Sequence, residues 1–172
     1  MTQSSKNALA EDAAAMVQDG DGIESMYLTF ALADETYGVP IGIVTEIVGI
    51  QRVMSVPDVP HYIKGVINLR GKVIPLMDVR LRFGMPERAY DERTVVIVLE
   101  VGNAPVGLIV DGVSEVVDIP ASKIDRSAFG GSSGGRSAVS GLGHVDDRVA
   151  ILLDVPVMVI DSDVRLPSME AA

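Results

Sequence analysis

At 172 residues the chain is long enough to bury a sizeable core, and with 48% hydrophobic residues but only 4% aromatics that core must be built from Val, Ile, Leu and Ala. β-branched side chains favour pleated strands, so an all-β architecture is expected. Fourteen basic against twenty-four acidic side chains give a net charge of -10, which repels a phosphate backbone and excludes nucleic acid as an expected partner; with no cysteine, disulfide scaffolds and thiolate metal sites are excluded too.

Residues 1–24 are polar, Ala-rich and acidic, with five carboxylates against Lys6, and read as a disordered acidic tail ended by Gly20-Asp21-Gly22. A helix over Leu9 to Val17 falls below the ~12 residues at which isolated helices become marginal. No secretory apolar block opens the chain, and runs such as Val95 to Leu99 fall far short of the ~20 residues that cross a bilayer, so a cytoplasmic protein without membrane insertion is expected.

From Met26 to Leu32 apolar residues alternate with Tyr27, Thr29 and Ala31, the two-residue period of a half-buried strand. Asp34-Glu35 signals a turn, and a second strand follows over Tyr37 to Ile41. Ile43, Val44 and Ile47 fit either a short helical turn or a strand. Pro57 and Pro60 set an extended connector. A hairpin then runs from Tyr62 to Leu69, turns at Arg70-Gly71 and returns over Lys72 to Met77, after which Asp78 can cap a short helix over Val79 to Phe83 that Gly84 stops.

The second half repeats this grammar: Thr94 to Val101, a Gly102-Asn103 turn, Val106 to Val110, then Val113 to Ile119 ended by Pro120. A Gly/Ser-rich linker at 130–135 precedes a last hairpin, Val139 to His144 and Val149 to Leu153, around Asp146-Asp147. Short strands punctuated by turns indicate barrels or sandwiches. Apolar strands ending in Asp78, Asp111 and Asp154 form an internal echo that suggests two similar lobes.

Reactive chemistry is sparse. Asp78, Asp111 and Asp154 could act as paired carboxylates only if two of them met, and an aspartate after a strand is more often a cap. A small hydrolase using Asp111 and Asp154 is the alternative from another function class. Gly130 to Ser137 comes close to a phosphate loop but has Arg136 for lysine and no leading strand, and His61 and His144 need no metal to explain them. The stretch that stands out is Gly65 to Asp78, where Asn68 and Arg70 interrupt two apolar strands at a hairpin tip, and an arginine beside an exposed Leu69 on a rigid turn resembles a protein-binding hot spot.

Four segments together resemble the CheW family of chemotaxis coupling proteins: Tyr27 to Ile47 with Val44-x-Glu46-Ile47, Pro57 to Asp78 with Gly65-Val66-Ile67-Asn68-Leu69-Arg70-Gly71, Val95 to Val113, and Ser140 to Asp154. The resemblance implies a domain over residues 25–162 made of two intertwined five-stranded SH3-like barrels with short helices, followed by a tail over 163–172. It implies a non-enzymatic adaptor without cofactor, joining the cytoplasmic tip of a chemoreceptor to the regulatory domain of the histidine kinase CheA; a related protein of a non-motility pathway would look the same. By residue it implies receptor binding at Val44, Gly65 and Arg70, and kinase or receptor coupling at Glu46. Pro156 falls where relatives begin a terminal helix, and the valines around it weaken the expectation of a helix there.

Overall fold

The computed structural model describes residues 23–127 and 137–161. Its strands are β1 (Met26–Leu32), β2 (Glu35–Pro40), β3 (Val44–Gly49), β4 (Ile63–Leu69), β5 (Lys72–Asp78), β6 (Val95–Val101), β7 (Ala104–Val110), β8 (Gly112–Asp118), β9 (Ile124–Asp125), β10 (Val139–Val145) and β11 (Arg148–Leu153), with helices α1 (Val79–Arg82) and α2 (Val155–Asp161). The local signals place most of these. Asp78 and Asp154 cap α1 and α2, their carboxylates accepting from the N–H of Leu81 at 3.2 Å and of Val157 at 3.1 Å. The ambiguous stretch at 41–47 is both things expected of it, a 3-10 turn Ile41–Ile43 running into β3.

Two sheets form. One has the order β3-β6-β7-β5-β4 and comes from a continuous stretch of chain, the contiguous lobe. The other, β8-β1-β2-β11-β10-β9, is assembled from both ends of the domain, the composite lobe. The expected pair of small barrels is therefore present, the composite one with a two-residue sixth strand. Each lobe joins one consecutive hairpin to three strands from the other half: β6–β7 sits between β3 and β5–β4, and β1–β2 between β8 and β11–β10. The registers agree as well, since parallel pairing sets Leu76 opposite Gly107 in one lobe and Leu152 opposite Gly38 in the other. The bulges at Gly65 and Gly141 also correspond. Of the echo seen in the sequence, Asp78 and Asp154 occupy equivalent places in the two lobes, after β5 and β11, whereas Asp111 follows β7, whose counterpart β2 has no such aspartate.

Burial explains why the lobes stay together. The largest cluster lies between them, with Leu28, Phe30 and Val39 from the composite lobe against Ile97, Leu99 and Leu108 from the contiguous one. The alternate residues of the same strands fill the two lobe interiors, Val96 and Val98 on one side and Tyr27 on the other. β1 is consequently buried on both faces rather than half-buried as its alternation suggests, because its polar-looking face carries Tyr27 and Thr29 into the lobe interior. The valines that weaken a helix after Asp154 are explained in the same way. Val155, Val157 and Met158 are buried, and a helix enclosed by protein can be apolar on most of its faces.

A polar tie crosses the lobe boundary. Asp111 lies where the chain passes from β7 to β8, and its carboxylate accepts Nε and Nη2 of Arg80 at 2.9 and 2.8 Å, and the N–H of Ala33 in the β1–β2 turn at 2.8 Å. The Leu9 to Val17 helix, the Gly/Ser-rich linker at 130–135 and the 163–172 tail lie outside the described residues, as does the 1–24 tail except for Ile23 and Glu24 in a 3-10 turn.

Candidate interaction site

Local physics shapes the β4–β5 tip first. Arg70 and Gly71 both have positive φ, 52° and 84°, as a two-residue hairpin turn matching the strand twist requires. Asn68 Oδ1 accepts the Gly71 N–H at 3.0 Å and holds the turn, so Asn68 is a buttress rather than a free polar contact. Leu69, expected beside Arg70 at the surface, is buried in the contiguous lobe because its strand face points into the barrel. Arg70 itself stands outward with 70% of its side chain exposed.

At the other edge of the same sheet, a bulge between Val44 and Glu46 interrupts pairing of β3 with β6, and the Thr45 hydroxyl donates to Val98 O at 3.1 Å. The strand bends there. Glu46 then accepts from Arg70 Nη2, an ion pair joining the β3 edge to the β4–β5 tip and so drawing the edges of the five-stranded sheet together. Two residues singled out from the sequence, Glu46 and Arg70, therefore touch. Guanidinium has five donors, so Arg70 keeps others to offer a partner.

Val44 and Gly65 serve differently. Val44 is half-buried and packs against the cluster between the lobes. Gly65 has φ 141°, and a Cβ there would stand 2.0 Å from the carbonyl oxygen of Met54. It admits the connector, whose Met54 pairs with Val66 through two backbone hydrogen bonds of 2.8 and 2.9 Å.

Asp78, Asp111 and Asp154 each have separate partners. Asp78 is buried, caps α1 and accepts the Tyr90 hydroxyl at 2.7 Å; burial, and then that hydrogen bond, push the Tyr90 phenol up. Asp111 is not the cap expected of an aspartate after a strand but the acceptor of the Arg80 fork, with Arg88 Nη1 at 3.3 Å. Burial alone would raise its carboxyl, but hydrogen bonds from Arg80 and the Ala33 N–H, with the charges of Arg80 and Arg88, outweigh it and hold the group below the usual carboxylate range. Asp154 caps α2. No pair of these carboxylates remains for the hydrolase alternative to rest on.

Sequence reasoning missed two features. Met54 is 55% exposed, and a lone methionine in a polar connector was its signal. On the composite lobe Glu115 pairs with Arg148 at 2.8 Å beside a shallow depression lined by Thr29, Thr36 and Val149. The repeat Val44-Thr45-Glu46-Ile47-Val48 and Val113-Ser114-Glu115-Val116-Val117 could have revealed this second pair.

A family model described as CheW-like domain matches residues 26–162. The chain is 37% identical over 147 residues to chemotaxis protein CheW of Klebsiella aerogenes, covering 86% of this chain and 89% of that one. It is 32% identical to chemotaxis protein CheW of Helicobacter pylori, covering 75% and 78% respectively. Among solved structures it is similar to the scaffolding protein TtCheW from Thermoanaerobacter tengcongensis, with TM-score 0.72, 32% identity and coverage of 85% of this chain and 97% of that one.

Proposed function

The chain belongs to the CheW family, and from that premise we propose that its contiguous lobe holds the cytoplasmic tip of a chemoreceptor while another surface holds the regulatory domain of the histidine kinase CheA. It is an adaptor of chemotaxis signalling with two barrel lobes. It acts in the cytoplasm and carries out no reaction of its own; signal passes as a change in how its two partners dock.

The observation that carries this reading is the Arg70–Glu46 pair. Arg70 sits on a tight turn with its guanidinium mostly in solvent, and Glu46, on the opposite edge of the sheet, holds one of its donors. A surface ion pair adds little to stability, a median of ~0–1 kcal/mol. Its value lies in orientation: a fixed guanidinium loses less freedom on binding than a free one and sets the angle of an acidic partner. Val44 and Gly65, further along the same two edge strands, complete the receptor surface, and Glu46 couples to it through Arg70.

Titration of a purified chemoreceptor cytoplasmic fragment against Arg70→Ala tests this. We expect affinity to fall about tenfold or more, the size of a hot-spot truncation, with CheA binding and thermal unfolding little changed. Receptor affinity equal to the parent's in a folded variant would remove Arg70 from the site.

A further inference from the structure

We propose that Met54 is the apolar anchor of the receptor contact and that Gly65 acts through Met54 rather than by touching the partner, an inference that rests on the receptor-binding reading above.

The connector between β3 and β4 is not a free loop where it passes Gly65. Val53 packs inward against the interior cluster of the contiguous lobe, and the alternation of an extended chain then turns Met54 outward. Met54 and Val149 are the large hydrophobic side chains exposed among the described residues, and Met54 is the more exposed, at 55% against 43%. Single exposed apolar residues are ordinary on protein surfaces. This one differs because its backbone is pinned: Met54 N donates to Val66 O and Val66 N donates to Met54 O. A side chain already positioned loses little freedom on binding, and an unbranched thioether adapts to the surface it meets.

Gly65 makes that position possible. A Cβ would lie 2.0 Å from Met54 O and 2.8 Å from its carbonyl carbon, contacts with backbone that no rotamer change relieves. Any side chain at 65 must lift the Met54 segment from β4. A receptor-binding role for Gly65 is thereby explained without partner contact, since glycine has no side chain to offer.

The geometry favours a helical occupant. Val66, opposite Met54, and Arg70 are four residues apart on the β4 side of the hairpin, ~13 Å at strand rise. A helix rising 1.5 Å per residue covers that span in about eight residues, so side chains at i and i+7 or i+8 on one face reach both points. Charge points to an acidic helix. Exposed Arg52 and Lys72 flank the two contact points, and Arg70 keeps donors beyond the one that Glu46 holds. An amphipathic helix with an apolar side chain on Met54 and a carboxylate on Arg70 fits this edge, and the receptor tip is the helical one of the two proposed partners.

The test titrates a chemoreceptor cytoplasmic fragment and, separately, CheA against the full chain carrying Met54→Asp, Met54→Leu, Met54→Ala, Gly65→Ala, or the last two together, with Arg70→Ala alongside. We expect Met54→Asp to weaken receptor binding about tenfold or more and Met54→Leu to stay within about twofold, with CheA affinity unchanged in both. Gly65→Ala weakens the receptor contact in the parent but by less than about twofold once Met54 is alanine, because both changes remove one anchor. Met54 is exposed, so its variants keep the fold and decide the anchor even if Gly65→Ala unfolds. Parental receptor affinity in Met54→Asp, with Arg70→Ala weakened, overturns the anchor and leaves the receptor reading standing. Loss of CheA with receptor binding intact overturns it and gives this edge to the kinase. A parent chain that does not bind the receptor fragment overturns both.

Discussion

The contiguous and composite lobes follow one strand plan and fill it with different side chains. The contiguous interior is aliphatic, with Ile67, Ile74, Leu76 and Val96 among its buried members, whereas the composite interior has Tyr27, Ile119, Ala150 and Leu152. The shared registers equate Ile74 with Ala150 and its cross-strand neighbour Ile67 with Gly143, a large loss of volume. Tyr27 in the place of Val96 restores part of it. Ile119 restores more, lying 2.9 Å from where a Cβ on Gly143 would be. Fillers can therefore change if total volume is kept, while the bulge glycines, the Gly38 and Gly107 contacts and the capping aspartates recur. Surfaces diverge more freely: Asp146 occupies the left-handed turn position that Arg70 holds in the other lobe.

The sharpest test of the shared plan is to load the two bulges alike. Gly65→Ala meets backbone at a positive φ, whereas Gly141→Ala meets the Cγ2 methyl of Ile124 at 2.8 Å and the Asp125 carbonyl oxygen at 3.1 Å. We expect losses of about 3 kcal/mol and about 1 kcal/mol respectively in denaturant unfolding. Equal losses would mean that the two bulges are under the same constraint after all.

A smaller effect should come from the tie between the lobes. Asp111→Asn weakens the Arg80 fork and should cost about 2 kcal/mol near neutral pH. The carboxyl is held below its ordinary value in the folded chain, so its contribution is complete above the unfolded-state value near ~4 and drains away as pH falls through the folded value. Stability of the parent should therefore fall more steeply than that of Asp111→Asn below about pH 4, and parallel acid limbs would show that the pair does not clamp the lobes. Smallest of all is Arg148→Ala. Its pair with Glu115 is about half exposed on both sides, so we expect less than about 0.5 kcal/mol in unfolding and no change in receptor titration, in contrast to Arg70→Ala. A receptor effect at Arg148 would make the lobes functional equivalents.

Much of the candidate site could be read from residues alone, because turns speak locally: Arg70-Gly71 demands left-handed backbone whatever surrounds it. The Arg70–Glu46 contact could not, since 24 positions separate the pair and only curling of the sheet brings its edges together. Met54 had only a weak signal, a lone methionine in a polar connector, because its exposure depends on which side of β4 the connector lands.

By itself the sequence determined where most strands and turns and the Asp78 helix cap fall, and the family to which the chain belongs. Those features depend on neighbours within a few residues: the two-residue period of a strand, positive φ at a turn, a carboxylate accepting the first amides of a helix. The tertiary structure alone decided that β3 pairs with β6 and β8 with β1, that β1 is buried on both faces, that the apolar segment Val155–Asp161 is helical, and that Asp111 meets Arg80. Backbone hydrogen bonds are alike for every strand, so partner choice is settled by which apolar faces can be buried together, a property of the whole assembled core.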